Sequence, residues 1–357
     1  MNFKNTKTGR LAKLVAGGWL FYFLLPQSMA IGQAPFYQGK TVTLVRGSTP
    51  GGIGEIRLRA LVPYLKKHIP GEPTIMIEFM PGAGGRKTAN YISGSARPDG
   101  LTIGSTPGGI IASAILGETG VKYDLEKFIY LGSSESKVHY TFLTRKEAGW
   151  DSIEKLQDAT GIRVGSHAVG HPIYITGRLF AYFLGLKSPK FVIGYSSPEQ
   201  DLALARGEID GRSETSASIL QRHPDWIEKR TMHFHAVIEI PKGTKIPAFA
   251  NLPDVEKFAR SEKERRFLSM FRSLRASGSP YFVSPEVPKE QLRILQTAFR
   301  KAYEDPEFHK EYKKLTGADP SPITPEEHQR VIREIPREPE IVELYKKFSG
   351  GDPLPLQ

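Results

Sequence analysis

Residues 41–67 read TVTLVRGSTPGGIGEIRLRALVPYLKK, and this stretch decides the fold. Thr41 to Val45 is a β-branched, alternating run with the signature of a strand. Gly47-Ser48-Thr49-Pro50-Gly51-Gly52-Ile53-Gly54 is a run of turn formers. From Glu55 the apolar residues Ile56, Leu58, Ala60, Leu61 and Leu65 recur at helical spacing. The unit is therefore strand, glycine-rich loop, helix. Free backbone N–H groups at such a helix N-terminus favour an anion, and Ser48 and Thr49 add hydroxyl donors. The same glycines would also serve any βα turn for backbone reasons alone. The loop is not a phosphate-binding P-loop, because no Lys-Ser/Thr follows, and its glycines do not fit the dinucleotide spacing.

The pattern repeats along the chain. Strand Thr74–Phe79 runs into Met80-Pro81-Gly82-Ala83-Gly84-Gly85 and a short helix from Arg86, and strand Leu101–Ser105 ends in Thr106-Pro107-Gly108-Gly109. Three strands ending in Gly, Pro and Ser/Thr loops, with helices between, predict a parallel α/β sheet that binds ligand at its C-terminal edge. Strands follow at 128–132 and 138–144, joined by the polar link Ser133-Ser134-Glu135-Ser136, read as a crossing into a second lobe. There the alternation resumes: strand 162–166 with loop His167 to Pro172, an amphipathic helix from Ile173 to Leu184, strand 191–193 opening on Tyr195, the turn Arg206 to Arg212 running to Ser213-Glu214, and strand 232–240. Beyond about residue 247 the chain is mostly helical, with helices expected over 255–271, 289–303, 306–315 and 325–335. The lone strand Tyr281-Phe282-Val283 cannot form a sheet by itself, so this segment is expected to return to the first lobe. Two crossings would then form a hinge. The division is 1–30 as a signal peptide, 31–136 as the first part of lobe I, 137–245 as lobe II and 246–357 as the return segment of lobe I.

Size and composition agree. The 357 residues can bury the cores of two ordinary domains, and 39% hydrophobic with 24% charged residues is a globular balance. No cysteine is present, which excludes disulfides and thiolate zinc sites. Lys4, Lys7, Arg10 and Lys13 precede an apolar core from Leu14 to Leu25 and then Pro26-Gln27-Ser28-Met29-Ala30. That order is that of a secretory signal peptide with cleavage expected after Ala30, retention as an anchor being the alternative; a periplasmic location is expected. The formal charge is +11, four of it in this leader. The remaining bases alternate with acids at helical spacing, as on a solvated helix face, so no nucleic-acid partner is expected.

Several side chains carry two readings each. His167 and His171 flank a strand end, where a protonated imidazole would pair with a carboxylate. Tyr195 suits a pocket wall. Arg212 would hold a carboxylate in two bonds, or pair with Glu208 or Glu214. His233 and His235 face one side of a strand, but no third metal ligand is evident. Glu55 and Glu214 belong to different lobes, no G-x-S-x-G elbow or H-E-x-x-H motif occurs, and neither an enzyme nor a cofactor is expected.

Phe36-Tyr37-Gln38-Gly39-Lys40-Thr41-Val42, Pro50-Gly51-Gly52, Met80 to Gly85 with Ala89-Asn90-Tyr91, Pro98-Asp99-Gly100-Leu101-Thr102-Ile103-Gly104, the Tyr195 loop, Gly207-Glu208-Ile209-Asp210 and Leu252-Pro253-Asp254-Val255 occur in this order. Together they resemble the extracytoplasmic receptors of tripartite tricarboxylate transporters, the Bug receptors. The resemblance implies a type II periplasmic binding protein: two α/β lobes, each a mostly parallel sheet flanked by helices, closing on a small organic acid. It implies a monomer that hands its carboxylate to membrane permease subunits; a co-receptor for a sensor kinase or an exported enzyme are the alternative roles. Carried over by position, the ligand contacts would be Ser48, Thr49, Gly52, Ala83, Gly84 and Thr106 from the first lobe. The second would add Ser166, Gly170, His171, Tyr195 and Ser213, with Arg212 beside them. Ile53 and Glu55 depart from the third glycine and the aspartate of many relatives, adding an apolar wall and a longer acid.

Overall fold

A computed structural model describes residues 34–355; the signal-peptide reading of residues 1–30 lies outside the described residues. Strand β1 (Thr41–Arg46) leads through the glycine loop to helix α1 (Ile53–His68), β2 (Thr74–Phe79), α2 (Arg86–Gly94), β3 (Thr102–Ser105), α3 (Gly109–Ile115) and β4 (Ile129–Gly132). The chain then enters a second sheet with β5 (Tyr140–Arg145), α4 (Ile153–Asp158), β6 (Arg163–Gly165), α5 (Pro172–Phe183), β7 (Lys190–Val192), α6 (Ser197–Ala205), β8 (Gly211–Thr215), α7 (Ser216–Arg222), α8 (Pro224–Glu228) and β9 (Met232–Ile238). It returns through α9 (Glu262–Ala276) to β10 (Tyr281–Val283), followed by α10 (Lys289–Glu304), α11 (Pro306–Thr316), α12 (Pro325–Glu334) and α13 (Pro339–Ser349).

The two sheets have orders β2-β1-β3-β10-β4 and β7-β6-β8-β5-β9. β1 runs parallel to β2 and β3, whereas β10 is antiparallel to both β3 and β4. Likewise β6 runs parallel to β7 and β8, and β5 is antiparallel to β8 and β9. In each sheet the one antiparallel strand is the first to arrive from the other lobe, and it lies beside the strand that departs. Tyr281-Phe282-Val283 thus joins the first sheet, as its isolation in the sequence predicts.

Beyond shifts of a residue or two at strand ends, the helices of the return segment differ from the sequence reading in two places. The helix expected over 255–271 is a short 3-10 turn, Val255–Phe258, and then α9, because Ser261 and Glu264 form a capping box that starts a new helix. The helix α13, not anticipated, packs on α9 and on α5 of the second lobe, so the far end of the 246–357 segment does not rest on the first lobe alone. Arg178 in α5 donates to the carbonyls of Lys347 and Asp352, and the Tyr174 hydroxyl donates to that of Gly350, which satisfies the carbonyls ending α13. α5 is buried on nearly every face, as a helix covered from both sides must be.

Two buried imidazoles link this packing to pH. His235, whose ring nitrogen lies 2.8 Å from the Thr144 hydroxyl, and His328, whose ring lies tilted 4.8 Å from that of Tyr130, are each pushed down to about 4 by burial. Between that value and the ordinary histidine value near 6.5 the unfolded chain binds more protons than the folded one. Their contribution is therefore fully present above about pH 6.5 and is lost as pH falls toward about 4. Urea denaturation is expected to give a lower midpoint at about pH 5 than at about pH 7, and His328→Phe to flatten that slope. An unchanged midpoint across the interval would contradict the assignment.

Candidate functional site

The loops that follow β1, β2 and β3 converge because their glycines allow backbone to approach side chain. A Cβ at Gly47 would lie 3.0 Å from the Thr106 methyl, and one at Gly85, whose φ is +98°, would lie 3.1 Å from the Thr106 Cβ. Thr106 is consequently the buried centre of the three loops rather than a surface donor. Arg46, at the end of β1, fastens the first loop by donating to the Ser48 hydroxyl at 3.1 Å and to that of Ser105 at 2.9 Å. Gly54 leaves room for that guanidinium, since a Cβ there would sit 1.9 Å from its Nη2.

The anion cradle expected at this loop holds an anion of its own. The Glu55 carboxylate accepts the Gly51 N–H at 2.6 Å and pairs with Arg59 at 2.6 Å. The Gly51 hydrogen bond, with Arg59 adding to it, holds this carboxyl below the usual glutamate value. The first loop thus closes on its own acid, and Glu55 serves the helix N-terminus.

Between the lobes lies a cleft of about 780 Å³. The first lobe contributes Ile53, Arg57 and the Pro107–Leu116 turn and helix, and the second contributes Val169, Gly170, His171 and Ile175. Its floor is made by Glu135 and Val138 on one crossing and by Phe271, Leu274, Arg275, Gly278 and Ser279 on the other. Tyr345 and Ser349 of α13 complete the wall.

Of the residues expected to contact ligand, Ile53, Gly170 and His171 line this cleft. Thr49, Gly52, Ala83 and Gly84 are exposed on the neighbouring loops, and Ser48 is engaged by Arg46. Ser166, Ser213 and Arg212 are buried beneath the second lobe's surface. The Ser213 hydroxyl donates to Thr176 at 2.8 Å, and Tyr195 packs on the Leu143 and Ile209 cluster. Arg212 is removed from any ligand: it pairs with Asp201 and Glu214 and donates to the Ser197 carbonyl at 2.8 Å. The acid at Glu214 was foreseeable; Asp201, eleven residues earlier, is brought in by the fold.

His171 caps α5, its Nδ1 accepting the Ile173 N–H at 3.2 Å, so the proton of the neutral ring sits on Nε2. Its ring stacks 4.1 Å from that of His167, which lies 3.3 Å from the Ser197 hydroxyl. Burial, the adjacent His167 and Arg275 all lower its proton affinity. His171 therefore offers an uncharged N–H donor, and not the protonated imidazole that was one of its two sequence readings. The wall residue Arg57 and the floor residues Glu135 and Arg275 were not anticipated. For Arg275 a signal existed: it follows Phe271 and Leu274 on the apolar face of α9, with no acid three or four residues away.

No family model matches the chain, and no curated protein matches it in sequence. Solved structures do match. A TctC solute binding protein from Polaromonas superposes with a TM-score of 0.63 at 19% identity, covering 87% of this chain and 98% of that one. The periplasmic binding protein BugD gives 0.55 at 18% identity, with the same coverage. MatC from Rhodopseudomonas palustris with bound malate gives 0.54 at 16% identity over 87% of this chain and 99% of that one. The exchange of strands between two mixed sheets, together with these superpositions, gives the chain the two-lobed fold of the type II periplasmic binding proteins.

Proposed function

We propose that the protein is an extracytoplasmic receptor of the tripartite tricarboxylate type that captures a small organic acid in the cleft and delivers it to membrane permease subunits. The observation that carries this reading is the cleft itself: a cavity between two lobes, floored by both crossings, with a guanidinium on that floor. Closure of one lobe on the other around such a floor traps a ligand and presents the closed form to a partner. Structural relatives support the chemistry, since MatC holds malate and another R. palustris protein, with a TM-score of 0.55 at 19% identity, holds adipate. Export to the periplasm follows from the leader reading. Among the described residues no helix is long and apolar enough to cross a membrane.

Calorimetry on protein stripped of endogenous ligand by unfolding and refolding is the direct test. Intrinsic fluorescence is the weaker readout, because neither Trp150 nor Trp226 lines the cleft. A bound acid at a hundredfold its dissociation constant should stabilise the folded state by about 2.7 kcal/mol and raise the melting temperature accordingly. Absence of heat and of any melting shift across a panel of mono- and dicarboxylates would refute the reading. Native mass spectrometry of the freshly purified protein would identify a ligand carried from the cell.

A further inference from the structure

We infer that Arg275 is the residue that grips the ligand's carboxylate, and that the cleft selects a singly charged acid with an apolar body. The inference rests on the receptor reading above and narrows its ligand class.

The charges of the cleft lining are balanced except at one point. Arg57 pairs with Glu135, and Glu118 pairs with Arg86. Arg275 forms no ion pair among the described residues: Glu135, already paired with Arg57, acts on it only at longer range, and its Nε donates to the Tyr140 hydroxyl at 3.0 Å. That bond fixes the plane of the guanidinium and leaves the two terminal nitrogens free as a parallel pair of donors, the geometry a carboxylate accepts in two bonds. Tyr140 opens β5 just beyond the first crossing, and Arg275 closes α9 just before the second. A carboxylate held there would touch the elements on which the lobes turn. The neutral His171 adds a donor without adding charge.

Among the described residues of the lining, a second carboxylate finds no unpaired cation, since Arg57 is held by Glu135. The first loop, the natural place for one, has its Gly51 N–H engaged by Glu55, whose negative charge opposes another anion. Arg46 stands beneath that loop, buried, with its Nε and Nη1 committed to Ser48 and Ser105, and it does not line the cleft. The remaining wall mixes the hydroxyls of Ser113, Ser279 and Ser349 with the apolar side chains of Ile53, Leu116, Val138, Ile175, Phe271 and Leu274. Such a surface takes up hydrocarbon and penalises a second charge that it leaves unpaired.

The test is calorimetry of the stripped protein with hexanoate and 4-phenylbutyrate as singly charged probes, adipate and malate as doubly charged ones, and 4-phenylbutyramide as the uncharged control. At least one singly charged acid is expected to bind tenfold or more tighter than adipate and malate, with the amide at least a hundredfold weaker than its acid. Arg275→Met should abolish the distinction between acid and amide, and Arg275→Lys should restore part of it, while both variants melt as single folded species. A loss caused by general distortion would weaken acid and amide alike. Glu55→Gln, which removes the loop's own charge, should narrow the gap between adipate and hexanoate. Tighter binding of adipate or malate by the native chain, or an acid-to-amide ratio unmoved in Arg275→Met, would overturn the inference while leaving the receptor reading intact. Failure of every acid to bind would remove both.

Discussion

Arg212→Met is expected to cost roughly 3–5 kcal/mol of folding stability, the range found when one partner is removed from a buried ion pair. Arg212 is fully buried and ties Asp201 to Glu214. Arg222 supports both acids from the periphery, at 3.3 Å from Asp201 and 3.0 Å from Glu214, and His223 reaches Asp201 at 2.8 Å. Burial by itself would raise the Glu214 carboxyl, but the Arg212 charge and hydrogen bonds from Ser197, the Thr215 N–H and Arg222 bring it below its usual value. Removing Arg212 leaves Glu214 buried with the 30% exposed Arg222 as its remaining ion-pair partner among the described residues, and the acid must then take up a proton or draw in water. It also releases Ser197, and with it the His167 ring stacked on His171 at the cleft. Urea denaturation measures the loss. The double variant Arg212→Met/Glu214→Gln should recover a large part of it, because the stranded charge goes too. A single-variant loss below about 1 kcal/mol would mean that the cluster is solvated and does not bear on the second lobe's stability.

Gly278→Ala should be nearly as damaging, for a steric reason. Gly278 has φ of +57°, and a Cβ there would sit 1.9 Å from the Glu135 carbonyl oxygen and 2.7 Å from the Ser133 hydroxyl. The Gly278 carbonyl is itself 2.2 Å from where a Cβ on Gly108 would be. Both crossings and the loop after β3 thus meet backbone to backbone at one point. The left-handed conformation costs an alanine about 1–2 kcal/mol, and forcing the segments apart adds about 1–3 kcal/mol. Gly117→Ala is the control. Its φ is +67°, and among the described residues no atom lies within 4 Å of the added Cβ, so it incurs only the backbone cost. The excess loss of Gly278→Ala over Gly117→Ala, read by thermal melting, isolates the contact between crossings. The same variant should also weaken acid binding, since the floor of the cleft must shift. Equal losses at the two glycines would show that the crossings have room to separate.

What the sequence made legible is what short-range pattern determines. The alternation at Thr41–Val45, the glycine run and the helical spacing after Glu55 are local, and they placed β1, its loop and α1 within two residues. The isolation of Tyr281-Phe282-Val283 was enough to send it back to the first sheet. Charges were harder, because an acid or base is defined by what lies across the fold. Glu55 reads as a ligand group until the Gly51 N–H is seen to hold it. Arg212 reads as an anchor until Asp201 arrives from α6. Arg275 reads as one base in a basic helix unless its place beside Phe271 and Leu274 on the apolar face is weighed. The helix α13 does have a local signature: Ile341, Leu344, Tyr345 and Phe348 recur at helical spacing after Pro339, the favoured first position.

The exchange of antiparallel strands also sets an order of assembly. All five strands of the second sheet lie within residues 140–238, whereas the first sheet cannot insert β10 until the chain has been extended past residue 283. Contacts of long sequence separation form slowly, because the intervening chain must be closed into a loop first. The inner lobe is therefore expected to gain native structure ahead of the outer one. The last piece set in place is then β10, together with the helix that carries Arg275 up to it. A refolding chain would complete its ligand floor only when its outer sheet closes, so ligand binding should appear as the final event in refolding, after most of the secondary structure has formed.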